Sequence, residues 1–175
     1  RCAWLQHTRV TWPGEDSAPV EVCDWLAQLY VAVADEQQRK QLGQYFTPPL
    51  VARFMASLVE LPSTDVWAIE PAAGLGILIA ALAELIVRQP KPGKWHVTAY
   101  EVDEILRPAL NLALGYTRQW LNRWGIRLEF EVRPNDFILE NAKILRPAPL
   151  LDSVSDRAGP DLFIANPPYF KIPKS

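Results

Sequence analysis

Apolar positions recur along this chain with two different periods, and the alternation between them predicts its elements. After an irregular lead-in over residues 1–18, marked by the turn formers Pro13-Gly14 and Asp16-Ser17, helical spacing begins. Val22, Trp25, Leu26, Leu29, Tyr30 and Val33 repeat within one helix from Val20 to Leu42, the polar run Asp35 to Gln41 solvates its end, and Gly43 stops it. Tyr45-Phe46-Thr47-Pro48-Pro49 is a stiff extended stretch, because residues before proline avoid the helical region. Thr47 is a candidate cap and Pro49 suits the first turn of a helix reaching about Glu60. That helix is expected to bury Leu50, Val51, Phe54, Met55 and Leu58.

Strands and helices then alternate. Strands are expected at Asp65 to Glu70, Trp95 to Glu101, Arg127 to Val132 and Asp161 to Ala165. Helices are expected at Gly76 to Arg88, Ile105 to Trp124 and, more briefly, Ile138 to Leu145. Loops fill Gln89 to Gly93 and the Pro/Ser/Asp-rich stretch Arg146 to Pro160. Such alternation implies an α/β fold with a parallel sheet and helices on both faces. No internal repeat is evident.

Composition changes this picture little. The chain has 175 residues, 49% hydrophobic and 22% charged, close to the globular average and enough for a sizeable core. The apolar stretch Ile77 to Val87 is interrupted by Glu84 and falls short of the roughly 20 residues a membrane helix needs. No basic-then-apolar leader opens the chain, and Cys2 and Cys23 form neither metal spacing nor a disulfide framework, so a reducing cytoplasm is expected. Both ends read as cuts. The formal net charge of −2 argues against these residues alone gripping a phosphate backbone, so any main nucleic-acid surface is expected outside them.

Four motifs carry candidate chemistry. Glu70-Pro71-Ala72-Ala73-Gly74-Leu75-Gly76 lies between a strand and a helix, where small residues let a ligand approach backbone N–H groups. Ile79 stands where a dehydrogenase fingerprint has its third glycine, which disfavours a nicotinamide cofactor. Glu101 ends the next strand, where an acid can accept from two ribose hydroxyls, although Asp103 and Glu104 compete for that role. Asn135-Asp136-Phe137 follows the third strand; Asp136 could accept from an adenine amine under the Phe137 ring, or Asn-Asp could simply cap a helix. Asn166-Pro167-Pro168-Tyr169 follows the fourth strand. Its prolines can hold the Asn166 side-chain oxygen and the Pro167 carbonyl toward one point, with Tyr169 as a stacking face. An exocyclic amine on a planar ring offers two hydrogens and a π-face to match.

Asn166-Pro167-Pro168-Tyr169 resembles the catalytic signature of amino-group methyltransferases, most often adenine-N6 DNA methyltransferases. Glu70 to Gly76 is similar to their cofactor motif, and Gly43 to Pro48 resembles the segment that precedes it in the gamma-ordered subgroup of restriction-modification and phage-defence enzymes. The resemblance covers about Gly43 to Tyr169. It implies a class I, Rossmann-like S-adenosylmethionine-dependent methyltransferase fold, incomplete at the C-terminus. Residues 43–175 would be the N-terminal part of the catalytic domain, and residues 1–42 a lead-in with a helical segment. The cofactor implied is S-adenosyl-L-methionine, with Tyr45, Phe46, Thr47 and Pro48 at its methionine end. Glu70, Pro71, Ala72, Gly74 and Gly76 would pass beneath it, Glu101 would hold the ribose, and Asp136 and Phe137 would hold the adenine. Asn166, Pro167, Pro168 and Tyr169 would receive a base flipped from double-stranded DNA, with a target-recognition domain or specificity subunit outside this chain. No metal is required, and by itself this length of chain is expected to be inactive.

Other readings use the same residues. Related signatures serve methylation of an rRNA guanine or a protein glutamine. A catalytically idle cofactor-binding module would keep the glycine motif without transfer. Transfer of label to DNA, to RNA or to protein separates these.

Overall fold

A computed structural model describes residues 11–41, 44–60, 65–88, 93–142 and 159–167. The elements run α1 (Pro19–Val33), α2 (Glu36–Gln41), α3 (Pro49–Ser57), β1 (Val66–Glu70), α4 (Ile77–Arg88), β2 (Lys94–Tyr100), α5 (Arg107–Asn122), β3 (Arg127–Arg133), α6 (Phe137–Asn141) and β4 (Leu162–Phe163). The four strands pair in parallel in the order β3-β2-β1-β4. Strand-helix alternation in the sequence therefore corresponds to the parallel sheet it predicted.

Val66, Ala68 and Glu70 of β1 are in register with Trp95, Val97 and Ala99 of β2, and these continue to Leu128 of β3. Registered positions share one face, and this face is buried in one core with α1, α4 and α5. β4 adds its register to the other side of β1, Ala68 against Leu162 and Ile69 against Phe163. β2 and β3 thus lie on one side of β1 and β4 on the other. The crevice beyond the carboxyl ends of β1 and β4 is the topological switch point, where open α/β sheets take their ligands.

Two expectations need correction. The single helix Val20 to Leu42 is instead α1 and α2, because Ala34 turns to extended backbone (φ −82°, ψ 142°). α1 is held by a buried face, Val20, Val22, Cys23, Leu26, Leu29 and Tyr30, and the run after Val33 offers no such face. α3 ends at Ser57, and it does not bury its apolar stripe. Ala52 and Ala56 pack inward, whereas Leu50 is 80% exposed, Leu58 68% and Phe54 62%; Val51 is also exposed and Met55 only half-buried. Periodicity locates a stripe but not the direction it faces. Here the alanine side lets α3 sit close to α4, an approach secured by Arg53, whose Nε donates to Glu84 Oε2 at 2.8 Å. Glu84 Oε1 also accepts from the backbone N–H of Val20 at 3.1 Å, so one buried carboxylate joins α1, α3 and α4.

Smaller shifts affect the ends. β4 spans two residues rather than five, and the helix expected from Ile138 begins at Phe137. The expected extension of that helix to Leu145, most of the 146–160 loop, and Pro168 and Tyr169 lie outside the described residues.

Candidate active site

β1 delivers Glu70 to the switch point, and the turn after it is shaped by glycine. Gly74 (φ 55°) and Gly76 (φ 75°) adopt left-handed backbone that other residues enter at a cost. At Gly76 a Cβ would also meet Leu110 Cδ1 at 3.0 Å, so the absent side chain lets α5 close on the turn. The Ala73 N–H donates to the Tyr100 carbonyl at 2.8 Å, tying the turn to the end of β2, and the Gly76 carbonyl accepts the first bond of α4 from Ala80.

The two carboxylates at this end differ in how they are satisfied. Glu101 Oε2 accepts from the Gly74 N–H and its Oε1 from the Asp103 N–H, each at 2.8 Å. A carboxylate has about four acceptor positions, so roughly two stay available for hydroxyl donors. Burial raises the Glu101 carboxyl above its usual range, and the bonds from Asp103 and Gly74 oppose that shift. Glu70 is 1% exposed and its Oε2 finds no hydrogen-bond partner among the described residues. Burial, reinforced by the Glu101 charge, pushes the Glu70 carboxyl well above the carboxylate range. The neighbouring Cys23 thiol is likewise pushed up by burial and then by Glu70. An orphaned buried oxygen of this kind fits a cationic group brought by a ligand.

β4 delivers the last component. The Ile164 N–H donates to the Ile69 carbonyl at 3.1 Å, so the chain leaves the sheet directly beside the end of β1. Two residues later Asn166 Nδ2 donates to Thr47 Oγ1 at 2.9 Å. Glu70, Ala72, Gly74 and Asn166 share a small cleft, open to solvent, with Tyr45, Phe46 and Thr47. Pro48, rather than the expected Thr47, is the N-cap of α3, with its carbonyl accepting from Ala52 at 3.0 Å, and Pro71 is half-buried in the turn. Neither is among the cleft-lining residues. Pro167 is described and exposed, next to Asn166.

Asp136 and Phe137 stand apart from this cleft's lining. Asp136 is exposed and its Oδ1 accepts from the Leu139 N–H at 2.9 Å, the capping bond that Asn-Asp sequences also make. The Phe137 ring meets Tyr100 edge-on at 5.1 Å and Phe163 at 6.1 Å, bridging the ends of β2 and β4. Asp103, the competitor to Glu101, instead accepts from the Gln44 side chain and, at 3.4 Å, from the Tyr30 hydroxyl. It holds the segment before Tyr45 against the loop after β2.

The lead-in contributes residues that the sequence did not single out. Cys23 and Ala27 of α1 line the cleft, and Tyr30 stacks edge-on against Phe46 at 5.6 Å. The signal available was the helical stripe that contains Tyr30 and flanks Cys23, but a stripe reads as core and nothing in it marks a cleft wall. His96 faces Glu129 at 3.3 Å on the surface, away from these groups. Among the described residues no cluster of His, Cys, Asp and Glu could hold a metal, and no helix is long and apolar enough to cross a membrane.

Comparison with known proteins agrees with the geometry. No family model matches the chain. It is 30% identical over 138 residues to the type II methyltransferase M.BsuBI of Bacillus subtilis, covering 78% of this chain and 26% of that protein. This chain therefore spans about a quarter of that relative's length. A Listeria monocytogenes structure described as a class I S-adenosylmethionine-dependent methyltransferase overlays with a TM-score of 0.54 at 14% identity, over 91% of this chain and 42% of the other. A more distant overlay, with a TM-score of 0.48 at 18% identity, is with a structure described as the modification subunit of a type I restriction enzyme from Vibrio vulnificus; it covers 74% of this chain and 26% of the other. The parallel sheet, with its glycine turn at the switch point, is the fold this chain shares with the Listeria structure, that of a class I methyltransferase.

Proposed function

We propose that the protein to which these residues belong transfers a methyl group from S-adenosyl-L-methionine to the N6 amine of adenine in double-stranded DNA, within a cytoplasmic restriction-modification or related defence system. The observation that carries this reading is the meeting of Asn166 with the glycine turn in one cleft, supported by the likeness to a type II methyltransferase. When bound, the cofactor supplies an electrophilic sulfonium methyl. The chain's own groups do the rest. Glu70 takes the cofactor's ammonium, and Glu101 takes the ribose hydroxyls through its remaining lone pairs. Gly74 and Gly76 keep the turn low beneath the cofactor, Pro71 and Ala72 carry the chain into that turn, and Tyr45, Phe46, Thr47 and Pro48 bound the methionine end. Asp136 and Phe137 are assigned to the cofactor's adenine.

The adenine amine is a weak nucleophile because its lone pair is delocalised into the ring. The Asn166 side-chain oxygen and the Pro167 carbonyl accept its two hydrogens, favouring a pyramidal nitrogen and stabilising the positive charge that develops there. Neither group must remove a proton before transfer; alignment with the methyl does most of the work. A paired adenine must be flipped out of the duplex to reach this point, with Pro168 and Tyr169 as its resting wall. With a net charge of −2 on these residues, a target-recognition domain or specificity subunit supplies the phosphate contacts. The 175 residues alone are expected to be inactive.

Transfer of labelled methyl to DNA, RNA and protein acceptors by the full chain tests the substrate, with DNA expected to be labelled at adenine N6. Asn166→Ala should lower turnover by about 10²–10³-fold, as for loss of one preorganised polar group at a reacting centre, with cofactor affinity retained. Label on RNA or protein, or full turnover in that variant, refutes the reading.

A further inference from the structure

The contact between Asn166 and Thr47 joins segments 119 residues apart, and it carries the reading above one step further. We infer that Thr47 is a positioning residue for the target amine: its hydroxyl takes one amide hydrogen of Asn166 and so fixes which way the Asn166 oxygen is presented. The inference rests on the amine-polarising role proposed for Asn166. It gives Thr47 a task beyond the methionine end of the cofactor.

Three features make Thr47 suited to it. An asparagine amide turns readily about its last bond, because that torsion is broad and nearly two-fold. Holding Nδ2 at 2.9 Å from Thr47 Oγ1 directs Oδ1 to the opposite side of the amide carbon. Thr47 is itself an immobile anchor. It is buried, branched at Cβ, and followed by Pro48 and Pro49, which fix the backbone leading into α3. Finally, an amide whose N–H is engaged becomes a stronger acceptor at its oxygen, since hydrogen bonds in a chain polarise one another. Donation to Thr47 therefore both aims and strengthens the group that receives the amine.

The consequence is a division of labour that kinetics can read. In the full chain, Thr47→Val keeps the shape and removes the hydroxyl; it should lower kcat by about 10–100-fold, the scale for misplacing a reacting group, while the calorimetric Kd for S-adenosylmethionine moves by a much smaller factor. Thr47→Ala should fall with it, and Thr47→Ser should recover most of kcat. Added to Asn166→Ala, Thr47→Val should cost nothing more, because the partner it serves is gone. An unchanged kcat in Thr47→Val, a loss confined to cofactor affinity, or additive losses in the double variant would each overturn the positioning role. Those results leave Asn166→Ala inactive, whereas an active Asn166→Ala defeats the amine reading itself, so the two failures are distinguishable.

Discussion

The ends of β1 and β3 carry acids with opposite fates. At β1, Glu70 is sealed from solvent with one oxygen unmatched, and Glu101 beside it spends both oxygens on backbone N–H groups. At β3, Asp136 is exposed and closes the first turn of α6 with an ordinary cap. A buried, unmatched carboxyl is costly to keep charged; burial favours its neutral form, and a positive partner would favour the charged one. An exposed cap costs little and does its structural work without any ligand. The β1 end therefore suits a cationic group, and the β3 end is satisfied by its own backbone.

Replacing Glu101 should have the largest effect on stability. Glu101→Ala strands the Gly74 and Asp103 N–H groups, and the loss expected is about 2 kcal/mol, read by chemical denaturation. A loss near zero would mean that relief of its burial beside Glu70 offsets both bonds. Glu70→Gln sharpens the contrast through pH. The folded-state carboxyl of Glu70 is raised, so between its unfolded pKa and its folded one the native state holds more protons than the unfolded state. Stability should then fall as pH rises from about 5 through that window, and the Gln variant should lose this slope while binding S-adenosylmethionine more weakly. In buffers of different ionisation enthalpy, cofactor binding to the unmodified chain should release protons, and binding to the Gln variant should release fewer. A pH-independent midpoint in the unmodified chain breaks the comparison. The smallest effect belongs to the β3 end. Asp136→Ala should cost about 1 kcal/mol as a lost cap, and Asp136→Asn should cost little because asparagine also caps. If both changes weaken the cofactor equally, the carboxylate serves adenine as well as the helix.

The parallel sheet was legible because its strands are apolar runs bounded by turn formers, and glycine at 74 and 76 marked the bend where only left-handed backbone fits. The approach of Asn166 to that bend was expected from the resemblance of its motif, and the strand order that produces it is seen only in the structure. Other features were not legible. Leu50, Phe54 and Leu58 make a helical stripe that reads as core, yet the alanines opposite them decide the packing because they allow the closer approach to α4. Cys23 and Ala27 line the cleft from a segment with no recognisable motif, and Asp103 looked like a rival of Glu101 until Gln44 and Tyr30 were seen to claim it. Such roles depend on distant pairs, and a single sequence records neither partner of the pair. Asp136 carried two readings from the start, and the capping bond is observed while the adenine role awaits its test.

Glu84 has a consequence for how the chain emerges during synthesis. The first turn of α1 begins at Pro19 after Ala18, which has no side-chain acceptor, and the Val20 N–H is met instead by a carboxylate 64 residues downstream. The acceptor for the start of the lead-in helix therefore exists only once α4 has been synthesised, so the placing of the wall that Cys23 and Ala27 give the cleft depends on a long-range pair rather than on a local cap.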